Sequence, residues 1–146
     1  MVDTHRLTHM EIARATVLWT AFFLALQFIC RVFSQRCFST FAQRSSADKA
    51  YWAASMVSSI HAVAVTAFAL AALRSEPGIR ARADDLYRTD SAITLWVPFF
   101  LGYIFVDTFL TFAWRRAWSG VWANAIHHTL AVVMYWQILE GGFATP

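Results

Sequence analysis

Charge is the scarcest property of this 146-residue chain: Asp, Glu, Lys and Arg together make up 14% of it, where ordinary soluble domains carry about 25%. That shortage excludes a surface built wholly for water. Lysine is nearly absent, one residue against eleven arginines, and cysteine is limited to Cys30 and Cys37. Seven positions apart on a continuous helix, their Cα atoms would stand about 10 Å from each other, beyond disulfide reach. Both are expected as unpaired, buried thiols. No cleavable leader is expected either, because Met1–Glu11 mixes His5, Arg6 and His9 with Asp3 and Glu11 and no small-residue cleavage motif follows the Trp19–Phe28 run. The first apolar segment is expected to stay.

Apolar surface is what the chain has in excess, with 58% hydrophobic and 16% aromatic residues. Residues 15–30, 50–73, 91–114 and 117–139 contain no Lys, Arg or Glu, and Asp107 is their only acid. Three of these runs reach 23 or 24 residues, enough to cross a hydrocarbon core of about 30 Å at 1.5 Å per residue. The first is shorter, at 16 residues, and crosses only with Arg14 or Arg31 snorkelling to the headgroups. The expected fold is therefore all-α. One transmembrane domain fills residues 1–146, with four transmembrane helices at about 12–31, 50–73, 91–114 and 117–139 packed around a polar centre. Pro98 is expected to kink the third helix and free the carbonyl near Thr94. Aromatic residues such as Trp19, Phe22, Phe99, Phe109, Trp118 and Trp122 exceed what a small interior can absorb, so some are expected to face outward.

The connections 31–49, 74–90 and Arg115-Arg116 leave no room for a soluble catalytic domain. Nucleic acid is not an expected partner despite a pI near 9.2, because the basic residues are spread over membrane-flanking loops and not gathered on one folded face. Arg31, Arg36, Arg44, Arg115 and Arg116 are expected to meet phospholipid headgroups, anionic ones among them. The spacing of Phe33, Cys37, Phe38 and Phe41 fits either an interfacial helix or a first helix that runs on and packs its Phe residues on a neighbour. Glu76-Pro77-Gly78 signals a turn, and Thr89, Asp90 or Ser91 can cap the third helix. Lys and Arg divide six against six between the two sides, so the positive-inside rule leaves orientation open.

A charge at the bilayer centre costs about 2.5–3.5 kcal/mol on insertion scales, so ionisable residues there need a partner or a purpose. The spans hold His61, Asp107, His127 and His128. Helical spacing aligns Tyr51, Ser55, Ser58, His61, Ala62 and Thr66 on the second span, Tyr103, Asp107 and Thr111 on the third, and Gly120, Asn124, His128 and Tyr135 on the fourth. Turning these stripes inward predicts a polar centre of Ser58, His61, Tyr103, Asp107, Asn124 and His128. Four chemistries fit it. A histidine oriented by Asp107 could serve acyl transfer or hydrolysis. A metal could be held by His61, His127, His128 and Asp107, although consecutive histidines point about 100° apart on a helix. His61 and His128 at mid-depth could flank a haem, without any attachment motif. Lastly, a hydrogen-bonded network could simply hold the helices in register.

The string Lys49-Ala-Tyr-Trp52, then Ser58-Ser59-Ile60-His61-Ala62, Gly102-Tyr103-Ile104-Phe105-Val106-Asp107 and Ile126-His127-His128-Thr129 with Tyr135 downstream, resembles the TLC-domain family over residues 49–136. That family includes the ceramide synthases and several lipid-linked membrane proteins. The resemblance implies a helical bundle around a membrane cavity able to admit acyl chains. It also implies that His127 and His128 match the paired histidines of the synthases' acyl-transfer site, which makes them, with Asp107, the catalytic candidates of any enzyme. The synthase motif continues with an arginine-containing connection, a further histidine and acidic residues, and the stretch from Glu140 to Pro146 does not supply them. Desaturase-like di-iron chemistry needs more histidines than these spans hold.

The leading expectation is a non-catalytic, lipid-contacting accessory subunit of a larger membrane complex, such as a mitochondrial respiratory or ATP synthase assembly. It would have no cofactor, with other membrane subunits and phospholipids as partners and the mitochondrial inner membrane as its location. The alternative is a lipid-handling protein, an acyltransferase or membrane-lipid sensor that uses the paired histidines. The endoplasmic reticulum, which the family resemblance favours, is the second location.

Overall fold

The computed structural model describes residues 9–75 and 96–140. Every regular element among them is a helix: α1 (His9–Cys37), α2 (Ser39–Ala42), α3 (Ser46–Ser75), α4 (Val97–Ala113) and α5 (Val121–Glu140). The expected turn at Glu76-Pro77-Gly78 and the expected cap at Thr89, Asp90 or Ser91 lie outside the described residues.

Helix α4 is the shared partner. α1 packs on it most extensively, α5 packs on its other side, and α3 leans on α1 more than on α4. Gly102 makes the α1–α4 approach close, because a Cβ there would stand 2.6 Å from the Trp19 Cβ and 2.9 Å from the Thr20 backbone nitrogen. Around this contact Phe23, Cys30, Ala53, Val57, Phe99 and Val106 form a buried core, with Trp19, Leu26, Met56, Val65 and Leu110 packed against it. Phe23 and Phe99 meet at 5.1 Å between ring centroids, and Trp19 stands edge-on to Phe99 at 4.9 Å.

The outer faces are apolar. Val17, Leu18, Phe28 and Ile29 on α1, Val63 and Leu70 on α3, Phe105 and Phe109 on α4, and Trp122 and Ile126 on α5 are exposed. His9–Cys37 and Ser46–Ala71 are each long and apolar enough to cross a membrane, and little of either is buried. Such surface belongs in a bilayer. Of the four expected spans, these two meet the requirement. α4 is a shorter apolar helix of 17 residues, about 26 Å long by helical rise, and α5 has Asn124, His127 and His128 in its first half.

Several boundaries differ from the expected ones. α1 does not stop near 31 but runs to Cys37, and a short break leads into α2, so the extended-helix reading of this segment holds through Cys37. Phe38 and Phe41 then pack against Trp52 of α3, at 5.6 and 6.1 Å between centroids, and Phe41 is buried. Both cysteines are free, but Cys37 is exposed, because α1 has by then passed beyond the core that buries Cys30. Pro98 sits in the first turn of α4 and not in mid-helix. There its missing N–H lacks no partner, so no kink arises at that position. The link between α4 and α5 occupies residues 114–120, where two residues were expected. It coils back through Ala117 and Trp118 amides bonded to the Trp114 carbonyl at 2.8 and 3.0 Å, and Gly120, at φ +76°, turns the chain into α5. At the start of α3, Ser45 accepts the Asp48 amide at 3.1 Å, an N-cap, and its hydroxyl donates to the Asp48 carboxylate at 2.8 Å.

Gly102→Ala should therefore lower the thermal midpoint in detergent, with a loss of about 1–3 kcal/mol from overpacking, since two of the atoms it meets are backbone. An unchanged midpoint would mean that α1 yields freely and that the close approach does not set the bundle.

Candidate functional site

Both α3 and α5 pack on α4, yet they share only marginal contact with each other. A cavity of about 650 Å³ opens between them, lined by Tyr51, Ala54, Ser55, Ser58, Ser59, His61 and Ala62 from α3, by Tyr103, Asp107 and Thr111 from α4, and by Trp118, Ser119, Asn124, His127 and His128 beyond it. One end is tied by Trp118, whose indole N–H donates to the Ala47 carbonyl at 3.2 Å and whose ring meets Tyr51 edge-on at 5.4 Å. Beyond the cavity, Trp96 stacks on Phe68 at 3.8 Å and joins the start of α4 to α3.

Two of the lining residues, Asp107 and His128, belong to a three-residue chain of polar contacts. His128 Nε2 lies 3.2 Å from Asp107 Oδ2, and His128 Nδ1 lies 2.8 Å from Thr108 Oγ1. With Asp107 ionised it accepts the Nε2–H, and a neutral imidazole is then left with Nδ1 as acceptor for the Thr108 hydroxyl. The two ring nitrogens thus straddle neighbouring side chains of α4, and His128 fastens α5 to α4. Thr108 was not singled out from sequence, because it lies off the Tyr103–Asp107–Thr111 stripe.

A second group surrounds His61. Its ring stacks on Tyr103 at 3.9 Å and 12° and faces Phe99 at 5.3 Å, while Phe23 and Phe100 meet its edge. Ser58 interacts with the Tyr103 hydroxyl. Two buried side-chain atoms in this region have no hydrogen-bond partner among the described residues, His61 Nε2 and Thr111 Oγ1, and both residues line the cavity.

All six residues of the expected polar centre, Ser58, His61, Tyr103, Asp107, Asn124 and His128, line this one cavity. Thr66 instead bonds the Ala62 carbonyl at 2.9 Å, Tyr135 stacks on Phe100 at 5.0 Å, and Gly120 serves the turn. The paired histidines part company: His128 is buried and held, whereas His127 is exposed along the cavity. Asp107 and His128 converge with a hydroxyl and not with a third ligand, and no group of three or more His, Cys, Asp or Glu side chains forms among the described residues. Arg31, Arg36, Arg44, Arg115 and Arg116 are all exposed and lie at the end of the bundle where α1 finishes and α3 begins.

A sequence model of the TLC domain matches residues 51–144, from the Tyr51 that opens the cavity wall through the whole of α4 and α5. The chain belongs to the TLC-domain family. No curated protein and no solved structure matches it. The TLC match and the apolar helices together make this an integral membrane protein of a lipid-associated family. Helix α1 lies outside the matched TLC segment but supplies the α4 contact at Gly102.

Asp107→Asn should leave the fold nearly intact, because the amide oxygen still accepts from His128, whereas Asp107→Leu leaves that imidazole unpartnered at a loss of about 1–3 kcal/mol. Thr108→Val should cost about 1 kcal/mol, one ordinary hydrogen bond. Thermal unfolding of the three variants in detergent checks this order; equal losses for Asn and Leu would mean that the carboxylate's charge, and not its hydrogen bond, holds α5.

Proposed function

We propose that this TLC protein handles lipid, with α1, α3, α4 and α5 crossing the bilayer and the cavity between α3 and α5 holding the polar portion of a lipid molecule. The observation that carries this is a pair of buried atoms without a hydrogen-bond partner among the described residues, His61 Nε2 and Thr111 Oγ1, which belong to two residues lining a cavity of about 650 Å³. Thr111 is only 2% exposed, and an orphaned polar group at membrane depth is a loss that a ligand's carbonyl or hydroxyl removes. In an acyl transfer at this site His127 is the imidazole free to meet substrate, while His128, engaged at both nitrogens, positions α5 through Asp107 and Thr108. The endoplasmic reticulum is the compartment that goes with this reading.

The accessory-subunit reading draws on a different observation. α5 exposes Trp122, Ile126, Leu130, Met134 and Trp136, a continuous apolar face suited to partner helices as well as to lipid, and the mitochondrial inner membrane is the compartment that goes with it. Extraction in mild detergent separates the two: migration with a much larger complex supports the subunit, and a stable monomer or small homo-oligomer supports the lipid-handling protein.

The double variant His61→Phe, Thr111→Val keeps an aromatic ring in the stack and a β-branched side chain at 111 while deleting both orphaned atoms. It should unfold at or above the wild-type midpoint, since apolar replacement of unsatisfied groups is neutral or stabilising, and should lose at least about tenfold in co-purifying lipid measured by native mass spectrometry, the equivalent of one hydrogen bond to ligand. Equal lipid retention would remove the support for ligand binding in this cavity.

A further inference from the structure

A second hollow, of about 340 Å³, lies along α3 and is lined by Arg44, Asp48, Tyr51, Trp52, Ser55, Met56 and Ser59. It shares Tyr51, Ser55 and Ser59 with the larger cavity. These three follow one another at successive turns of α3, so they form a ridge between the two hollows, and two of its three side chains are small. Both serine hydroxyls are already bonded to carbonyls one turn back, at 2.9 Å. The ridge therefore offers a low surface, with its serine hydroxyls already satisfied, over which a lipid can reach from one hollow into the other. Charge is confined to the end of the groove, at Arg44 and Asp48.

Those two charges do not neutralise each other. The Arg44 side chain makes no hydrogen bond or ion pair with any described residue. Asp48 is held by Ser45 through Oδ2, which fixes its carboxylate at the first turn of α3 and leaves the other oxygen available. Lys49, the nearest further cation in sequence, is committed to the Ala42 carbonyl at 2.9 Å. The groove thus presents one free cation, one anchored anion and two aromatic side chains, Tyr51 and Trp52, whose faces favour an ammonium group. It sits at the end of the bundle that carries the other exposed arginines, where headgroups lie.

We infer that this groove seats the headgroup of a zwitterionic phospholipid, with the phosphate on Arg44 and the ammonium group facing Asp48, while its ester region passes Met56 and the serine ridge into the cavity, bringing its carbonyl oxygens to that polar lining. This rests on the lipid-handling reading and adds the headgroup class to it. A purely anionic headgroup satisfies Arg44 but meets the Asp48 carboxylate without a counter-charge. Free phosphate would leave the Trp52 and Met56 walls of the groove uncovered.

The test is native mass spectrometry of the full chain in detergent, offered equal amounts of phosphatidylcholine, phosphatidylethanolamine and phosphatidylglycerol. Wild type should retain the two zwitterionic lipids over phosphatidylglycerol. Arg44→Gln should lower retention of all three by roughly fivefold, the equivalent of one basic residue at a lipid surface. Asp48→Asn keeps an oxygen to accept from Ser45 and should shift the preference toward phosphatidylglycerol by a comparable factor, with an unchanged unfolding midpoint confirming that the cap is intact. Lipid bound with the same headgroup ratio in wild type and Asp48→Asn overturns this inference alone and leaves the lipid-handling reading standing. A wild-type protein that retains no lipid overturns both.

Discussion

A carboxyl group set in an apolar helix must be partnered, and the way Asp107 meets that requirement organises this molecule. His128 reaches it from α5 at 3.2 Å and takes Thr108 with its other nitrogen at 2.8 Å. Because the two α4 residues are consecutive, they diverge by about 100° around the helix, and one imidazole bridges them only when α5 lies directly over that edge of α4. The polar contact therefore fixes the rotation of α5 as well as its proximity. Apolar packing would do this poorly here, since helices surrounded by lipid gain little from burying one apolar face against another.

The other side of α4 is settled by volume instead of polarity. With no side chain at Gly102, Trp19 and Thr20 come to within contact of the α4 backbone, and the aromatic residues Phe23 and Phe99 fill the space around that approach. α1 and α5 thus occupy opposite sides of α4 for different reasons, and α3, packed mainly against α1, has no helix left to close against. The cavity is the consequence. It is bounded at one end by Trp118, and its width follows from how little α3 and α5 pack on each other.

How much of this could be read from the sequence depended on whether periodicity or pairing carried the signal. Ser58, His61, Tyr103, Asp107, Asn124 and His128 are legible because polar residues in an apolar run share a face at helical spacing, and all six line one cavity. Thr108 is off that spacing, and its bond to His128 depends on the relative rotation of two helices, which no single-helix pattern contains. Gly102 was visible as a residue but not as a contact, since the Trp19 it admits is 83 positions earlier in the sequence. Trp118 reads as one more aromatic near a span end, and only the fold reveals its indole N–H on the Ala47 carbonyl. Pro98 misled for a simpler reason. Its effect depends on whether it stands in the first turn or the interior, and the uncharged run 91–114 does not mark where the helix begins.

The separation of His127 from His128 follows from the same geometry. Two consecutive residues on an α-helix cannot both point at one partner, so once His128 is committed to Asp107 and Thr108, His127 is directed away from α4 by the helix itself. In a soluble bundle that residue would face water. Here the cavity extends along α5 far enough to include it, so an imidazole with no hydrogen bond among the described residues stands beside one held at both nitrogens. On the lipid-handling proposal, each has the surroundings the other's role would not allow: a histidine used to lock two helices cannot exchange protons without loosening them, and one that meets a ligand must have a nitrogen to spare. The histidine pair accordingly joins an anchor and an open group at a fixed angle, and the anchor is what makes the position of the open group definite.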